Sequence, residues 1–340
     1  MKHEDRLRSL SDYLQILRDK GRLSSGLHQT LTEFILSYRI ILGKRNFPIS
    51  DYLPLLKTVV REIAGQETTP YRFAPYHKKI RKPVDYYRLG IECIRPLVDL
   101  PRSTVSGLEV LHTIGNRLRG RENVILCANH QTEADPQAIS LLLEKHAPRF
   151  AEDLIFVAGT RVTTDPFAVP FSMGRNLLCI HSKKYIDIPP EQKRRKQFEN
   201  RRTMQIMRRL LSEGGHAIYI APSGGRDRMN TEGEIEISPF DPQSIGMLQL
   251  MAEQAARPTR FHTLALSTYS LFPPPRDVRT DIGEKRVTLG GAIHLAFGPE
   301  VDMNGSRFAR YTDRFAKRRA WALSLWRQVK DAYDLFGERR

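Results

Sequence analysis

The stretch ANHQTEADP, residues 128–136, combines a histidine with two carboxylates, and these residue types perform general acid–base chemistry. It follows the apolar run NVILC and precedes QAISLLLEKH, so it lies where a predicted strand gives way to a predicted helix. Asp135 is close enough in sequence to accept a hydrogen bond from one ring nitrogen of His130 and to fix its tautomer. The other ring nitrogen would then take a proton from a substrate.

A helix N-terminus is the alternative explanation of the same stretch. Asn129 or Thr132 would cap a helix that begins near Pro136, and the acidic residues would be favoured in its first turn. This alternative leaves His130 unexplained, because a charged imidazole is disfavoured beside the positive end of a helix dipole. Taken alone, the stretch does not decide between a helix cap and an acid–base dyad.

Two further stretches place cations after predicted strands. IAPSGGRDR, residues 220–228, ends in Arg226 and Arg228, and its two glycines allow a ligand to approach the backbone closely. Two arginines on one loop can both meet a phosphate. The stretch FSMGRNLLCIHSKKY, residues 171–185, ends in Lys183, Lys184 and Tyr185. The cations of both stretches would also be ordinary as solvated surface residues.

Other chemistries are disfavoured by the motifs. Ser223 lies in APSGG, which is not the G-x-S-x-G sequence of a hydrolase nucleophile. Neither the Walker A motif nor the G-x-G-x-x-G motif, whose glycines bind phosphates, occurs in the sequence. Two Cys/His pairs, at 127/130 and 179/181, imitate zinc ligands, but each lies at a predicted strand end without a tight turn, so buried cysteines are expected instead. No nucleic-acid-binding signature accompanies the net charge of +16.

The elements around these stretches predict two parts. Leucines at helical spacing before residue 76 predict a small helical bundle, residues 1–76. From residue 77 to 340, short apolar strands alternate with amphipathic helices, which predicts an α/β domain with a mixed, largely parallel sheet. The predicted strands are 123–128, 154–159, 177–182, 216–221, 261–267 and 292–298, and helices are predicted to start near residues 136, 190, 243 and 306.

The composition indicates an acidic partner and a reducing compartment. The excess of positive charge suits an acidic protein, anionic lipid, nucleic acid or a phosphorylated substrate. Eight of these cations lie on a predicted helix at 190–211, for which a solvated face is the ordinary explanation. Three cysteines are too few for a disulfide framework. Because no apolar run reaches the length of a membrane span and no signal peptide is recognised, we expect a soluble protein.

Taken together, the blocks resemble the soluble glycerol-3-phosphate 1-acyltransferases of the plastid and chlamydial type. NHQTEADP is similar to the H-x4-D block of that family, and TDPFAVPFSMGRNLLCIHSKK and IAPSGGRDR are similar to its following blocks. IGEKRV, residues 282–287, is similar to a stretch near the C-terminal end of the family. The resemblance covers roughly residues 100–300.

The resemblance implies acyl transfer from a thioester to glycerol 3-phosphate without a covalent enzyme intermediate. His130 would be the base, with Asp135 supporting its imidazole. Lys184, Arg226 and Arg228 fall at positions where the family binds the phosphate, and Tyr185 stands where the family has a histidine. The expected donor is acyl carrier protein, with coenzyme A thioesters as the alternative. No metal or other cofactor is implied, since the thioester is a co-substrate.

Two other functions stay open from the sequence. One is a related acyltransferase with a different acceptor, such as lysophosphatidate or a polyol. The other is a non-enzymatic basic module that binds nucleic acid or membrane, although its cations should then be interleaved with aromatic residues along one face. For the enzyme we expect no nucleic-acid partner, transient contact with an anionic membrane surface, and a location in bacterial cytoplasm or plastid stroma.

Overall fold

The computed structural model describes residues 2–274 and 284–337, apart from the side chains of residues 2–9 and Lys184. Three helices come first: α1 (Lys2–Asp19), α2 (Ser25–Lys44) and α3 (Ile49–Thr68). Their apolar residues are buried at the helical spacing seen in the sequence, as at Leu31 and Leu56. The predicted N-terminal helical unit is therefore confirmed.

Helix α2 packs directly on the rest of the chain. The ring of Phe34 meets that of Phe167 with centroids 5.2 Å apart, and the Tyr38 hydroxyl donates to the Cys93 carbonyl at 2.9 Å. The Ser37 hydroxyl oxygen accepts from the Thr288 amide at 3.2 Å. One hydrophobic cluster thus continues from the first helices into the α/β part. The domain division between residues 76 and 77 stays a prediction.

The described part of the chain forms an eight-stranded sheet in the order β1-β5-β4-β6-β3-β9-β10-β2. Strands β5, β4, β6, β3 and β9 run parallel to one another, and β2 is parallel to β10, whereas β1 on β5 and β10 on β9 are antiparallel. The strands are β1 (Tyr76–His77), β2 (Thr104–Ser106), β3 (Asn123–Ala128), β4 (Ile155–Gly159), β5 (Asn176–Ile180), β6 (Ala217–Ile220), β9 (Thr259–Ser267) and β10 (His294–Glu300). A separate hairpin pairs β7 (Arg228–Met229) with β8 (Ile235–Glu236). This mixed, largely parallel sheet confirms the predicted fold class.

The sheet is covered on both faces, which is why its central strands read as continuous apolar runs. Along β3, Val124 and Leu126 join a cluster with the N-terminal helices, whereas Ile125 and Cys127 join a cluster on the other face. The remaining helices are α4 (Tyr86–Ile94), α5 (Leu108–Arg119), α6 (Asp135–Leu143), α7 (Pro148–Asp153), α8 (Thr160–Thr164), α9 (Val169–Met173), α10 (Lys193–Glu213), α11 (Pro242–Glu253), α12 (Ser306–Ala309) and α13 (Arg314–Gly337).

The boundaries of the elements that the sequence predicts agree with the structure to within a few residues. Strands β1, β2, β7 and β8 are not predicted, because runs of two or three residues carry no periodicity. Helices α4, α5, α7, α8 and α9 are not predicted either. The helix expected from residue 190 begins as a 3-10 turn, Pro190–Gln192, before α10. The helix expected near Ser306 lasts four residues, and α13 is a separate, longer helix. In the described residues no helix has the length and apolarity that crossing a membrane requires.

Candidate active site

His130 and Asp135 form a hydrogen-bonded pair where β3 leads into α6. The Nδ1 atom of His130 lies 2.7 Å from Oδ2 of Asp135. Because a carboxylate only accepts, Nδ1 carries the proton and Nε2 is the ring nitrogen with a lone pair in the neutral imidazole. The imidazole is partly exposed, whereas the carboxylate is 1% exposed. The dyad predicted from the sequence is therefore geometrically formed.

The Asp135 carboxylate is held by donors on both oxygens. Oδ2 accepts from the Gln131 amide at 3.0 Å, and Oδ1 accepts from the Thr132 amide at 3.2 Å. The Thr268 hydroxyl, which follows β9, also donates to Oδ1 at 2.6 Å. A carboxylate with this many donors is fixed in place, so it can fix the imidazole in turn.

The helix-cap alternative is right about the helix start, since α6 has Asp135 in its first turn and Pro136 in its first two positions, but it is wrong about the capping residue. Ala134 is the N-cap residue of α6 and makes no side-chain cap, and the Thr132 hydroxyl oxygen instead accepts from the Ala134 amide at 3.0 Å. Asn129 bonds to β9 instead, accepting from the Leu266 amide at 2.8 Å and donating to the Leu266 carbonyl at 2.9 Å. Asn129 thus holds the end of β3 against β9 and does not cap α6.

Asp227 joins the histidine stretch to the arginine loop. Its amide donates to the His130 carbonyl at 2.6 Å, and its Oδ2 accepts from the Asn129 side chain at 2.8 Å. Burial raises the pKa of the Asp227 carboxyl to about 6, although Asn129 and the Ser238 amide stabilise its charged form. This residue lies between the two predicted phosphate ligands, Arg226 and Arg228, and so places both beside the dyad.

Arg226 is buried in a pair with Glu284. Its two terminal nitrogens lie 2.7 Å from the two carboxylate oxygens, and both side chains are less than a tenth exposed. Burial alone would favour the protonated acid, but the Arg226 hydrogen bonds and neighbouring arginine charges hold the pKa of Glu284 below its ordinary value. A guanidinium has five N–H groups, so this pairing does not use up the donors of Arg226.

The other predicted phosphate ligands are Arg228, Lys184 and Tyr185. Arg228 begins β7 and is half-buried. Lys184 and Tyr185 lie in a 3-10 turn, Lys183–Tyr185, that follows β5 at the same edge of the sheet. The Lys184 side chain lies outside the described residues, so its predicted contact with phosphate stays a prediction. Lys196 of α10 donates to the Tyr185 carbonyl at 3.1 Å and so supports this turn.

A small apolar cavity lies beside the start of α6. Its volume is about 30 Å³, and Ala134, Phe167, Phe171 and Phe272 contribute to its walls. Glu133 and Arg286 supply its polar side. At about 30 Å³ the cavity has room for roughly one or two water molecules, so it is a void beside the start of α6 and not a substrate pocket.

The chain is similar in sequence to known proteins. A family model described as Acyltransferase matches residues 102–263. The chloroplastic glycerol-3-phosphate acyltransferase ATS11 of Cucurbita moschata is 36% identical over 96% of this chain and 73% of its own length. Its counterpart in Arabidopsis thaliana is 39% identical over 93% of this chain and 70% of its own length. The counterpart in Spinacia oleracea is 41% identical over 78% of this chain and 56% of its own length.

The chain belongs to the chloroplast-type glycerol-3-phosphate acyltransferase family. This confirms the resemblance seen in the sequence, and with it the predicted enzyme class and acceptor. The roles assigned to single residues, the acyl donor and the absence of a cofactor are not addressed by these matches and stay predictions.

Two residues of the candidate site were not singled out from the sequence, Glu284 and Arg286. Glu284 and Arg286 belong to the IGEKRV stretch, of which Ile282 and Gly283 lie outside the described residues. Arg286 is 3% exposed and pairs with Glu133 and Asp165, each at 2.9 Å. It thereby ties this stretch to the histidine stretch. The only sequence signal for these residues was the resemblance of the stretch itself, since Arg226, Glu133 and Asp165, with which they pair, are more than fifty positions away.

The cysteines are not arranged for chemistry. Cys127 lies inside β3 and is fully buried, and burial raises the pKa of its thiol to about 12. In the described part of the chain, no group of three histidine, cysteine or acidic side chains has the geometry of a metal site.

Proposed function

We propose that the chain transfers a fatty acyl group from a thioester to the C1 hydroxyl of glycerol 3-phosphate, giving lysophosphatidate, with His130 as the base. The observation that supports this most is the 2.6 Å hydrogen bond from the Asp227 amide to the His130 carbonyl. It sets a loop with two arginines directly beside an acid–base dyad. An acceptor with a phosphate at one end and a hydroxyl at the other matches that arrangement.

In the reaction, Nε2 of His130 takes the C1 hydroxyl proton while the oxygen attacks the thioester carbonyl carbon. Nδ1–H keeps its hydrogen bond to Asp135, which stabilises the imidazolium that forms. The new C–O bond gives a tetrahedral intermediate, whose C–S bond then breaks. The leaving thiolate takes the proton back from His130, so the histidine ends neutral and no cofactor takes part.

The acceptor phosphate is assigned to Arg226, Arg228 and Lys184. Three cations suit a phosphate dianion, and bidentate arginine contacts would orient the C1 hydroxyl toward His130. Tyr185 would add a single hydrogen bond from its phenol and no positive charge. A different acceptor with the same phosphate, such as lysophosphatidate, is the competing assignment.

The donor is proposed to be acyl carrier protein, a small acidic protein. Helix α10 exposes six arginines on its outer face: Arg194, Arg195, Arg201, Arg202, Arg208 and Arg209. A groove of about 650 Å³ runs beside this helix, with Arg72, Arg195 and Arg202 among its walls. Thr160 and His181, at the carboxyl ends of β4 and β5, also line it. The groove therefore opens toward the sheet edge that carries His130.

An assay of glycerol 3-phosphate against carrier-protein and coenzyme A thioesters tests the acceptor and the donor together. Steering of an acidic carrier weakens as the Debye length falls from about 10 Å at 0.1 M salt to about 3 Å at 1 M. Activity with the carrier donor should therefore fall more steeply with salt than activity with the coenzyme A donor. Equal salt sensitivity would contradict the carrier assignment.

Charge reversal locates the docking surface. Changing Arg194, Arg195 and Arg202 to glutamate should raise the KM for the carrier donor and leave the KM for glycerol 3-phosphate unchanged. The matched control reverses three exposed arginines near the C-terminus, Arg307, Arg310 and Arg319. Binding to anionic vesicles that is lost only in the first variant, with an unchanged carrier KM, would assign α10 to membrane contact instead.

The setting proposed is plastid stroma, since the relatives are named chloroplastic. Fractionation of the source cells tests this, and recovery of the activity from bacterial cytoplasm would contradict it.

A further inference from the structure

The groove of about 650 Å³ beside α10, from here on the α10 groove, has two arginines from separate segments among its walls. Arg72 belongs to the segment that follows α3, and Arg202 lies in the middle of α10. Within residues 2–274 and 284–337, neither guanidinium makes a hydrogen bond or an ion pair. Both residues are exposed, so both can donate to a molecule that enters the groove.

The charge of the α10 groove favours an anion. Arg195 lines it in addition to Arg72 and Arg202, and Glu199 is the one acidic side chain among its described walls. The Glu199 carboxylate lies 2.5 Å from Nε2 of His181 and is therefore already engaged. Two guanidinium groups without a carboxylate of their own are suited to the oxygens of a phosphate group.

The other walls suit an uncharged chain with apolar and amide parts. Phe73 and Phe198 line the groove, and Phe198 is 58% exposed. Thr163 and Thr164 donate their hydroxyl hydrogens to the Thr160 carbonyl, at 3.0 and 2.9 Å. Their oxygens therefore remain acceptors for the N–H groups of a ligand. The α10 groove thus offers cations, apolar rings and hydrogen-bond acceptors together.

Helix α8 contacts both the α10 groove and the arginine loop. Thr163 of this five-residue helix lines the groove. Arg161 of the same helix lies 2.7 Å from the carboxylate of Glu284, which pairs in turn with Arg226. The groove and the loop beside the dyad are therefore neighbours across one short helix. A long ligand that is anchored in the groove can reach across α8 to the reacting groups.

We propose that the α10 groove binds the phosphopantetheine arm on which the donor carries its acyl thioester, with Arg72 and Arg202 on the phosphate of that arm. This assignment rests on the proposed acyl transfer from a thioester. The arm joins a phosphate to the thioester through a branched apolar segment and amide groups. These parts match the arginines, the phenylalanine rings and the threonine oxygens of the groove. Carrier protein and coenzyme A both carry the arm, so the site serves either donor.

The test compares four donors with the same acyl chain: acyl-pantetheine, acyl-phosphopantetheine, acyl-coenzyme A and acyl carrier protein. The parent should have a higher KM for acyl-pantetheine, which lacks the phosphate, than for acyl-phosphopantetheine. Changing Arg72 and Arg202 together to alanine should raise the KM by about 10–100-fold for the three donors that carry the phosphate. The KM values for acyl-pantetheine and glycerol 3-phosphate should stay within about twofold of the parent, which also shows that the variant is folded.

The matched control changes Arg149 and Arg327 together to alanine. Both are exposed arginines outside the α10 groove, on α7 and α13, so their loss should leave the KM of all four donors unchanged. In the Arg72 and Arg202 variant, a rise for the carrier protein alone would mean that these arginines only attract an acidic protein. No rise, or an equal rise for acyl-pantetheine, would mean that they do not contact the phosphate. Each of these results overturns the inference.

Failure of the proposed function has a different signature in the same assay. A parent protein that acylates glycerol 3-phosphate from none of the four donors would overturn the proposed acyl transfer, and the assignment of the groove with it. A parent that uses the donors but shows no effect of Arg72 and Arg202 would overturn the assignment of the groove alone.

Discussion

Two histidines follow parallel strands of this sheet, and both pair with a carboxylate. His130 follows β3 and pairs with Asp135 at 2.7 Å, and His181 follows β5 and pairs with Glu199 at 2.5 Å. The imidazoles are similarly accessible, 28% and 20% exposed. Both are histidine–carboxylate pairs at the same edge of one sheet, so pair formation alone does not identify a base.

The difference lies in the second ring nitrogen. His181 bonds through both nitrogens, with Nδ1 2.9 Å from the Thr160 hydroxyl and Nε2 on Glu199. His130 bonds through Nδ1 alone, as no group in residues 2–274 and 284–337 contacts its Nε2 by a hydrogen bond. Only His130 is therefore ready to take a substrate proton, whereas His181 ties β5 to its neighbours.

The two carboxylates differ as well. Asp135 is 1% exposed and accepts from two amides and a hydroxyl in addition to His130, whereas Glu199 is 42% exposed. A buried and fully bonded carboxylate holds an imidazole rigidly, and an exposed one at a helix surface does not. The surroundings of the carboxylate, and not the pairing itself, therefore distinguish the proposed catalytic pair from the other one.

The largest expected contrast comes from neutralising each carboxylate. Asp135→Asn permits the wrong tautomer of His130, so turnover should fall by about 10²–10⁴-fold. Glu199→Gln keeps a hydrogen-bonding group on His181 and should change turnover by less than about threefold. Steady-state turnover at saturating substrates measures both. Similar losses in the two variants would remove the distinction between the pairs.

The cations next to each histidine provide a smaller contrast. Arg228→Ala removes a charge-assisted contact worth about 1.5–3 kcal/mol, so the acceptor KM should rise by roughly 10–100-fold. Lys183 follows His181, but it is 65% exposed and pairs with Asp241 at 2.9 Å. Lys183→Ala should leave the acceptor KM nearly unchanged. If Lys183→Ala raised the acceptor KM more than Arg228→Ala does, the phosphate would have to be placed beside His181 instead.

The third prediction concerns the pH dependence of stability at Asp227. Burial raises the pKa of the Asp227 carboxyl in the folded protein to about 6, above the pKa near 4 of an ordinary aspartate. Between those values the folded state binds more protons than the unfolded chain, so this group makes stability fall as pH rises, by up to about 3 kcal/mol. Asp227→Asn should flatten that part of the curve.

Urea unfolding between pH 4 and pH 7 measures the effect. The control is Asp241, whose pKa is lowered by hydrogen bonds from Ser244 and Lys183 that outweigh burial. Asp241 favours folding more as pH rises, so Asp241→Asn should change the curve in the opposite sense. An unchanged pH profile in Asp227→Asn would show that Asp227 does not titrate in this range.

The sequence predicted what depends on local pattern. Strand β3 spans the predicted residues 123–128, and the His130–Asp135 contact followed from a spacing of five at a strand end. The sequence did not predict contacts between distant residues. Arg226 meets Glu284 across 58 positions, and Asn129 meets Asp227 across 98. Such pairings are fixed by strand order, which no local periodicity encodes, and for the same reason Asn129 was mistaken for a helix cap.

The central claim is that His130 performs the chemical step and does not merely bind the acceptor. Glycerol 3-phosphate binding to His130→Ala by calorimetry, with a single-turnover acyl-transfer rate on the same preparation, tests it most directly. The account predicts a dissociation constant within about threefold of the parent and a rate lower by about 10²–10⁴-fold. A near-normal rate at saturating acceptor, in a variant that is folded, would contradict it.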